Sequence, residues 1–149
     1  GFDAALAQKI YAGSDMFFMP SKYEPCGLGQ LISFKYGTIP IVRLTGGLAD
    51  TVKEFDPETG EGDGFTFSEY TSKALLSAVK KAIKTFEKKD VWRALQEKVM
   101  RYDYSWGSSA KKYVSLYKKA LLKIGRTEKP EKARKDIRTS REIEWEQRI

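Results

Sequence analysis

The 149-residue sequence contains no histidine, only one cysteine and no long apolar run. Without histidine it can form neither a histidine metal site nor a Ser-His or Cys-His nucleophile pair, which excludes several classes of hydrolase. Cys26 alone cannot form an internal disulfide. No stretch approaches the roughly 18 apolar residues of a membrane helix, and residues 1–10 lack the pattern of a signal peptide. We therefore expect a cytoplasmic protein with no metal, no cofactor and no membrane partner.

Charge is a weaker guide to function. Lys and Arg total 27 against 20 Asp and Glu, which gives a net charge of +7. Such an excess suits either a nucleic-acid surface or small anions such as nucleotide phosphates. Most basic residues are mixed with acidic ones, as in KKAIKTFEKKD, so solvated helix surfaces account for them. We do not expect nucleic acid as a partner.

The first third of the chain alternates between helical and strand patterns. The predicted elements are a helix at 3–12 with Asp3 as N-cap, a strand at 15–20, a helix at 29–36, a strand at 38–44 and a helix at 49–55. The strands are continuous apolar runs, as expected where helices cover both faces of a sheet. This order predicts an α/β fold with a parallel sheet.

Beyond residue 56 the sequence predicts mainly helices. FTF at 65–67 suits a short edge strand. Three helices follow, the first capped by Thr71 or Ser72, the second capped by Asp90 and the third opened by Ser105. Their apolar stripes are expected to pack in the core. In the first helix the stripe is Leu75, Leu76, Val79, Ala82, Ile83 and Phe86, and in the third it is Trp106, Ala110, Tyr113, Val114, Tyr117, Leu121 and Ile124.

The composition changes after Gly125. Residues 126–149 are highly charged and contain few large apolar side chains. We predict one domain over residues 1–125 and a charged C-terminal extension over residues 126–149. The extension either docks on a partner or is disordered.

Two glycine turns follow the first two predicted strands, EPCGLGQ at 24–30 and TGG at 45–47. Because the carboxyl ends of parallel strands meet at one edge, we expect both turns there, where open α/β sheets bind ligands. Glycine lets backbone amides approach an anion, and the start of the following helix favours phosphate. Together the turns suit a diphosphate, although each glycine also has a steric explanation.

Glu24 is a carboxylate placed beside these amides. It would repel the anion that the amides attract, so a neutral partner such as sugar hydroxyls suits it better, since hydroxyls donate strongly to carboxylates. The alternative is a helix-entry residue that interacts favourably with the helix dipole. The residues alone leave both interpretations open.

Residues 13–52 resemble the donor-site half of bacterial glycogen synthases and plant starch synthases. The EPCGLGQ and TGGLADTV segments carry the resemblance, which extends more loosely over residues 1–124 through GFTF and DYSW. These enzymes are retaining glucosyltransferases of the GT-B architecture, which has two Rossmann-like domains. The resemblance implies a partial Rossmann-like parallel sheet with flanking helices, the C-terminal half of a GT-B fold, followed by C-terminal helices.

The resemblance also assigns roles to matching positions. Glu24 is the carboxylate that contacts the glucose hydroxyls and orients the sugar near the developing oxocarbenium charge. The remaining implied contacts are Cys26, Gly27, Leu28, Gly29 and Gln30 toward the diphosphate, Thr45, Gly46 and Gly47 on the other side of that pocket, and Phe2 against the nucleotide base. The thiol of Cys26 has no histidine to activate it, so we expect it to pack rather than react.

The implied reaction transfers glucose from ADP-glucose, or from UDP-glucose, to the 4-hydroxyl end of an α-1,4-glucan with retention. The protein mainly orients the donor and stabilises the leaving diphosphate. We do not expect Glu24 to be a covalent nucleophile, because the retaining glycosidase pair needs a second acid about 5 Å away. Neither turn contains one.

Whole enzymes of this family also have an N-terminal domain with a K-x-G-G-L loop and, upstream of the position of Phe2, an Arg and a Lys five residues apart that neutralise the diphosphate. Neither is present in this sequence. We therefore expect the chain alone to have negligible activity and to self-associate through incomplete surfaces. A non-catalytic binding or assembly module, whose basic surface or tail serves a partner such as RNA, is the alternative.

Overall fold

A computed structural model describes residue 1 and residues 3–123 of the chain. Phe2 and residues 124–149 lie outside the described residues, and so do the predicted base contact of Phe2 and the predicted extension. The elements in order are α1 (Ala4–Gly13), β1 (Met16–Met19), α2 (Gly29–Lys35), β2 (Ile39–Arg43), α3 (Gly47–Thr51), β3 (Phe65–Phe67), α4 (Ser72–Glu87), α5 (Lys89–Met100) and α6 (Trp106–Lys123).

The three strands form one parallel sheet in the order β1-β2-β3. Phe18 aligns with Ile41 across the first pair, and Val42 aligns with Thr66 across the second. The central strand β2 is buried from Ile39 to Val42, as its unbroken apolar sequence requires. The predicted α/β fold, with FTF as an edge strand, is confirmed.

Helices α2, α4 and α5 pack around this sheet and enclose the core. The ring of Phe65 on β3 stacks on Trp92 of α5 with centroids 6.2 Å apart, and Phe34 of α2 meets Tyr102 edge-on at 5.6 Å. Burying each large apolar side chain contributes roughly 2 kcal/mol to stability. The core therefore holds the faces of the sheet in place, while the turns lie at its carboxyl edge.

Helix α1 begins as predicted and is joined to the centre of the sheet. The carboxylate of Asp3 accepts from the backbone amide of Leu6 at 2.9 Å, which satisfies one of the unpaired donors of the first helical turn. At the start of β2, the hydroxyl of Thr38 donates to the carbonyl oxygens of Tyr11 and Ser14. The end of α1 is thus tied to the strand beside β1.

The third helix differs from the prediction of residues 49–55. It spans Gly47–Thr51 because Val52 is extended, with φ −120° and ψ 129°, and Glu54 bridges to Gly64 alongside β3. Val52 and Phe55 are both buried from this extended segment. Their spacing of three residues is typical of a helix, which is why the pattern misled.

The N-cap predicted for α4 is confirmed, and the N-cap predicted for α5 is wrong. Thr71 caps α4, since its hydroxyl oxygen accepts from the amide of Ala74 at 3.2 Å. Asp90 does not cap α5, because the helix begins at Lys89 with Lys88 at the N-cap. Asp90 lies instead in the first turn, where a carboxylate still interacts favourably with the helix dipole.

The predicted packing of the stripe on α4 is only partly correct. Ala82 is buried and Leu75, Val79 and Phe86 lie against the core. Leu76 and Ile83, however, are exposed. The buried stripe is therefore narrower than the run of apolar residues, and it meets β3 and α5.

The described residues up to 103 form one compact unit, and α6 belongs to a second. Its start is as predicted, with the hydroxyl oxygen of Ser105 accepting from the amide of Ser108 at 3.2 Å. None of its side chains is buried, and Trp106 is 89% exposed, so the expectation of core packing is wrong for the described part of this helix. Across the described ranges, no helix combines the length and apolar character needed to cross a membrane.

Candidate functional site

The first turn (residues 24–30) and the second turn (residues 45–47) contact each other at the carboxyl edge of the sheet. The backbone amide of Gly47 donates to the carbonyl oxygens of Glu24 at 3.3 Å and Pro25 at 3.2 Å. Parallel β1 and β2 deliver both turns to this edge, and α2 and α3 lead away from it. The prediction that the turns share one edge is confirmed.

Gly46 and Gly47 allow the two backbones to touch. A Cβ at Gly46 would overlap the carbonyl oxygen of Glu24, and a Cβ at Gly47 would lie 2.7 Å from the α-carbon of Cys26. Gly46 also has φ +47°, which disfavours any side chain. The amide of Gly47 is engaged by the first turn, so this glycine serves the contact between the turns rather than donating to an anion.

Glu24 lies half-buried where the two turns meet. Its Oε2 accepts from the hydroxyl of Ser21 at 3.4 Å, and its backbone carbonyl is held by Gly47. Helix α2 has Leu28 at its N-cap and no side chain bonded to that cap. Glu24 therefore makes no capping hydrogen bond to the helix that follows.

The first turn has a backbone shape suited to anions. Gly27 has φ +71°, and Leu28 follows with φ −113° and ψ −25°. Successive left-handed and right-handed residues turn their amides toward one point, which forms an anion-binding concavity. Gly29 has a packing role as well, since a Cβ there would lie 2.8 Å from the ring of Phe17 on β1.

Gln30 is completely buried beneath the first turn. Its Nε2 lies within hydrogen-bond distance of three acceptors, the carbonyl oxygens of Cys26 at 3.2 Å and Gly27 at 3.0 Å and the hydroxyl oxygen of Thr51 at 3.1 Å. Thr51 in turn donates to the carbonyl oxygen of Gly47 at 2.7 Å. Sequence reasoning placed Gln30 in the site but missed Thr51, which ends α3 and only folding brings close.

Arg43 is a second residue that the sequence reasoning missed. It ends β2, where Nη1 donates to the carbonyl oxygen of Lys22 at 2.8 Å and Nε donates to that of Ser68 at 3.0 Å. Its guanidinium lies 5.4 Å from the ring centre of Tyr70. Arg43 thus joins the segment before Glu24 to the segment after β3. A basic residue at the end of a buried strand was the available signal.

The remaining predicted residues differ in what the fold does with them. Cys26 is exposed, so the expectation that its thiol packs is wrong, although its backbone contacts Gly47 and Gln30. Thr45 is half-buried, and its carbonyl oxygen accepts from the amide of Leu48 at 3.1 Å at the start of α3. The fold therefore brings residues 24–30 and 45–47 into one contiguous site.

A parallel sheet with two contacting glycine turns at its carboxyl edge places the chain in the class of α/β proteins, in which this edge is the usual place for a ligand. Residues 5–98 match the model of the family described as glycosyl transferases group 1, and the chain belongs to this family. It is 62% identical over 126 residues to the glycogen synthase of Thermotoga petrophila and 58% identical over 125 residues to that of Fervidobacterium nodosum. Each alignment covers 84% of this chain and 26% of the relative, so the chain spans about a quarter of their length.

Solved structures agree with this assignment. The catalytic domain of starch synthase IV from Arabidopsis thaliana, bound to ADP and acarbose, matches with a TM-score of 0.71 and 42% identity, over 82% of this chain and 26% of that one. Sucrose-phosphate synthase from Thermosynechococcus elongatus matches with a TM-score of 0.58 and 24% identity, over 81% and 29%, and shows the fold alone. The predicted resemblance to glycogen and starch synthases and the predicted GT-B fragment are confirmed.

Proposed function

We propose that this chain supplies the donor-binding half of a glycogen- or starch-synthase-type glucosyltransferase. The complete reaction would transfer glucose from ADP-glucose to the 4-hydroxyl end of an α-1,4-glucan with retention. The observation that carries the proposal is the place of Glu24, half-buried at the carboxyl edge and held against the second turn by the amide of Gly47 at 3.3 Å. A carboxylate there can accept from the hydroxyls of a sugar whose diphosphate lies on the neighbouring amides.

ADP-glucose is the donor that we favour over UDP-glucose. The support is similarity to bacterial glycogen synthases and to a starch synthase whose structure contains ADP. No base contact within the described residues bears on the choice, because Phe2 lies outside them. Direct comparison of the two donors decides between them.

Glu24 and the amides of the first turn would divide the work on the donor. The amides would stabilise charge on the leaving diphosphate, which grows as the glycosidic bond breaks. Glu24 would hold the sugar so that its anomeric carbon faces the acceptor, with no covalent bond to the protein. The groove that binds the glucan and the basic side chains that neutralise the diphosphate would come from parts of the enzyme beyond these 149 residues.

The sharpest test titrates ADP, ADP-glucose and UDP-glucose against the wild-type chain and Glu24→Ala by calorimetry. A hydrogen-bonded carboxylate contributes enough that Glu24→Ala should bind ADP-glucose about tenfold or more weakly, with ADP unaffected. Glu87→Ala is the matched control, since it removes one exposed carboxylate at the end of α4. Equal effects of Glu24→Ala on ADP and ADP-glucose would contradict the proposed role.

Catalysis is tested in two settings. The chain alone is expected to show negligible transfer from ADP-glucose to glucan, because it spans about a quarter of its relatives. Exchanged for the matching segment of the Thermotoga petrophila enzyme, it should retain transfer, and Glu24→Ala in that chimera should abolish it. Tight RNA binding by the chain, independent of Glu24 and without nucleotide-sugar binding, would instead favour the non-catalytic module.

A further inference from the structure

We propose that Gln30 and Thr51 are positioning residues that aim the backbone amides of Gly27 and Leu28 out of the first turn, toward the diphosphate of the donor. This inference deepens the proposed function and rests on it for the identity of the anion. The orientation of the amides can be tested without any ligand. The observations behind it are the hydrogen bonds and the burial of the Gln30 side chain.

The direction of the two amides follows from peptide geometry. In a trans peptide the C=O of one residue and the N–H of the next point in opposite directions. The carbonyls of Cys26 and Gly27 both point inward to Nε2 of Gln30, at 3.2 and 3.0 Å. The amides of Gly27 and Leu28 must therefore point away from the buried side chain. Within residues 1 and 3–123, neither amide donates to a protein acceptor.

The orientation of the Gln30 amide group is itself fixed by its surroundings. Its two N–H groups face three acceptors, so turning the group over would place an oxygen against two carbonyl oxygens. This orientation leaves Oε1 buried without a hydrogen-bond partner among the described residues. That oxygen lies beneath Gly27, where an added Cβ would stand 2.5 Å from it. The turn rests directly on this side chain.

Thr51 connects the same side chain to the second turn. Its hydroxyl oxygen accepts from Nε2 of Gln30 at 3.1 Å and its proton goes to the carbonyl oxygen of Gly47 at 2.7 Å. Gly47 donates in turn to Glu24. A closed circuit of hydrogen bonds therefore links the diphosphate side of the first turn to the sugar side through α3. This circuit fixes the backbone of Glu24 relative to the amides of the first turn.

Thr51→Val and Thr51→Ser form a matched pair for the test. Valine has the shape of threonine but no hydroxyl, whereas serine keeps the hydroxyl. In ligand-free amide NMR spectra, Thr51→Val should shift the Gly27 and Leu28 amide resonances and speed exchange of the Gln30 side-chain protons, while Thr51→Ser should leave them close to wild type. The indole resonance of Trp92 in the core reports that both variants remain folded. Unchanged turn amides in Thr51→Val would overturn the proposal.

Inorganic pyrophosphate is the anion probe for the second stage. Loss of one neutral hydrogen bond predicts roughly threefold to tenfold weaker binding by Thr51→Val and near-normal binding by Thr51→Ser. Gln30→Glu places a carboxylate oxygen against two carbonyl oxygens. It should therefore weaken pyrophosphate binding more than Thr51→Val does. If the ligand-free shifts occur but the wild type binds neither pyrophosphate nor ADP-glucose, the proposed function fails and the positioning role stands. Pyrophosphate affinity equal in wild type and Thr51→Val would overturn the role in anion binding.

Discussion

Gly46 lies so close to the backbone carbonyl of Glu24 that a Cβ at position 46 would overlap it, in the segment that carries the proposed sugar ligand. Gly46 also has φ +47°, a conformation that side-chain-bearing residues rarely adopt. Two independent constraints thus act on one position. Their effects can be separated, because another glycine has only one of them.

Gly60 has the unfavourable backbone conformation without the overlap, since it has φ +73° and no neighbour within 4 Å of an added Cβ. We expect Gly60→Ala to cost about 1 kcal/mol from backbone strain alone. Gly46→Ala should cost roughly 2 kcal/mol more, because the overlap forces the turns apart. Urea unfolding of both variants measures the difference. Equal losses would show that the two turns separate without cost.

The contact between the turns could be predicted from sequence only in outline. Two buried strand patterns, each followed by glycines, placed Glu24 and Gly47 at one edge of a parallel sheet. The sequence could not show that the Gly47 amide is consumed by the first turn, because that depends on how closely the backbones approach. Periodicity identifies the elements and their order, whereas the hydrogen-bond partners of loop residues depend on how the folded chain brings the loops together.

Arg43→Lys should destabilise the folded protein more than the retained positive charge suggests. A single ammonium cannot donate to the carbonyls of Lys22 and Ser68 together while remaining over the ring of Tyr70, as the guanidinium does. We expect a loss of roughly 1 to 2 kcal/mol in unfolding free energy and faster tryptic cleavage after Lys22. Tyr70→Phe keeps the ring and serves as control. Cleavage after Lys22 at the wild-type rate would argue against this tether.

Asp63 should make the folded state less stable as pH rises. Burial raises the pKa of this carboxyl above 3.8, against the opposing effects of the Lys53 amide, the Tyr102 hydroxyl and nearby lysines. The folded state therefore holds the proton more tightly than the unfolded state, and the unfolding free energy falls as pH climbs from 3.8 through the raised pKa. Asp63→Asn, which does not ionise, should gain stability relative to wild type across that window.

Asp56 gives the opposite slope and is a control within the same loop. The backbone amide of Glu58 lowers the pKa of Asp56 below 3.8, with a further contribution from the hydroxyl of Thr59. The ionised carboxylate therefore contributes stability above 3.8 that is lost as pH falls through the lowered pKa. Asp56→Asn should reduce the loss of unfolding free energy as the pH falls. Chemical unfolding at a series of pH values should give opposite trends for the two variants, and parallel trends would contradict both assignments.

The helices show where amphipathic patterns reach their limit. The stripe of α4 correctly indicated a face against the core, yet a similar stripe on α6 leaves Tyr113 57% and Tyr117 62% exposed. A helical pattern reports that a face can be buried and carries no information on what buries it. Thr51 illustrates the same limit at the site, since its partner Gln30 lies 21 residues away and only folding unites them.

The exposed stripe of α6 leads to a prediction about association. Trp106, Tyr117 and Leu121 are 89%, 62% and 39% exposed, and apolar surface of this kind favours contact between molecules. We expect light scattering at concentrations on the order of tens of micromolar to show dimers or larger assemblies. Replacing Tyr117 and Leu121 by serine should shift the population toward monomer. Leu76→Ser, at a 52% exposed position on α4, controls for general loss of apolar surface and should leave the assembly intact. A wild-type chain that is monomeric at these concentrations would contradict the prediction.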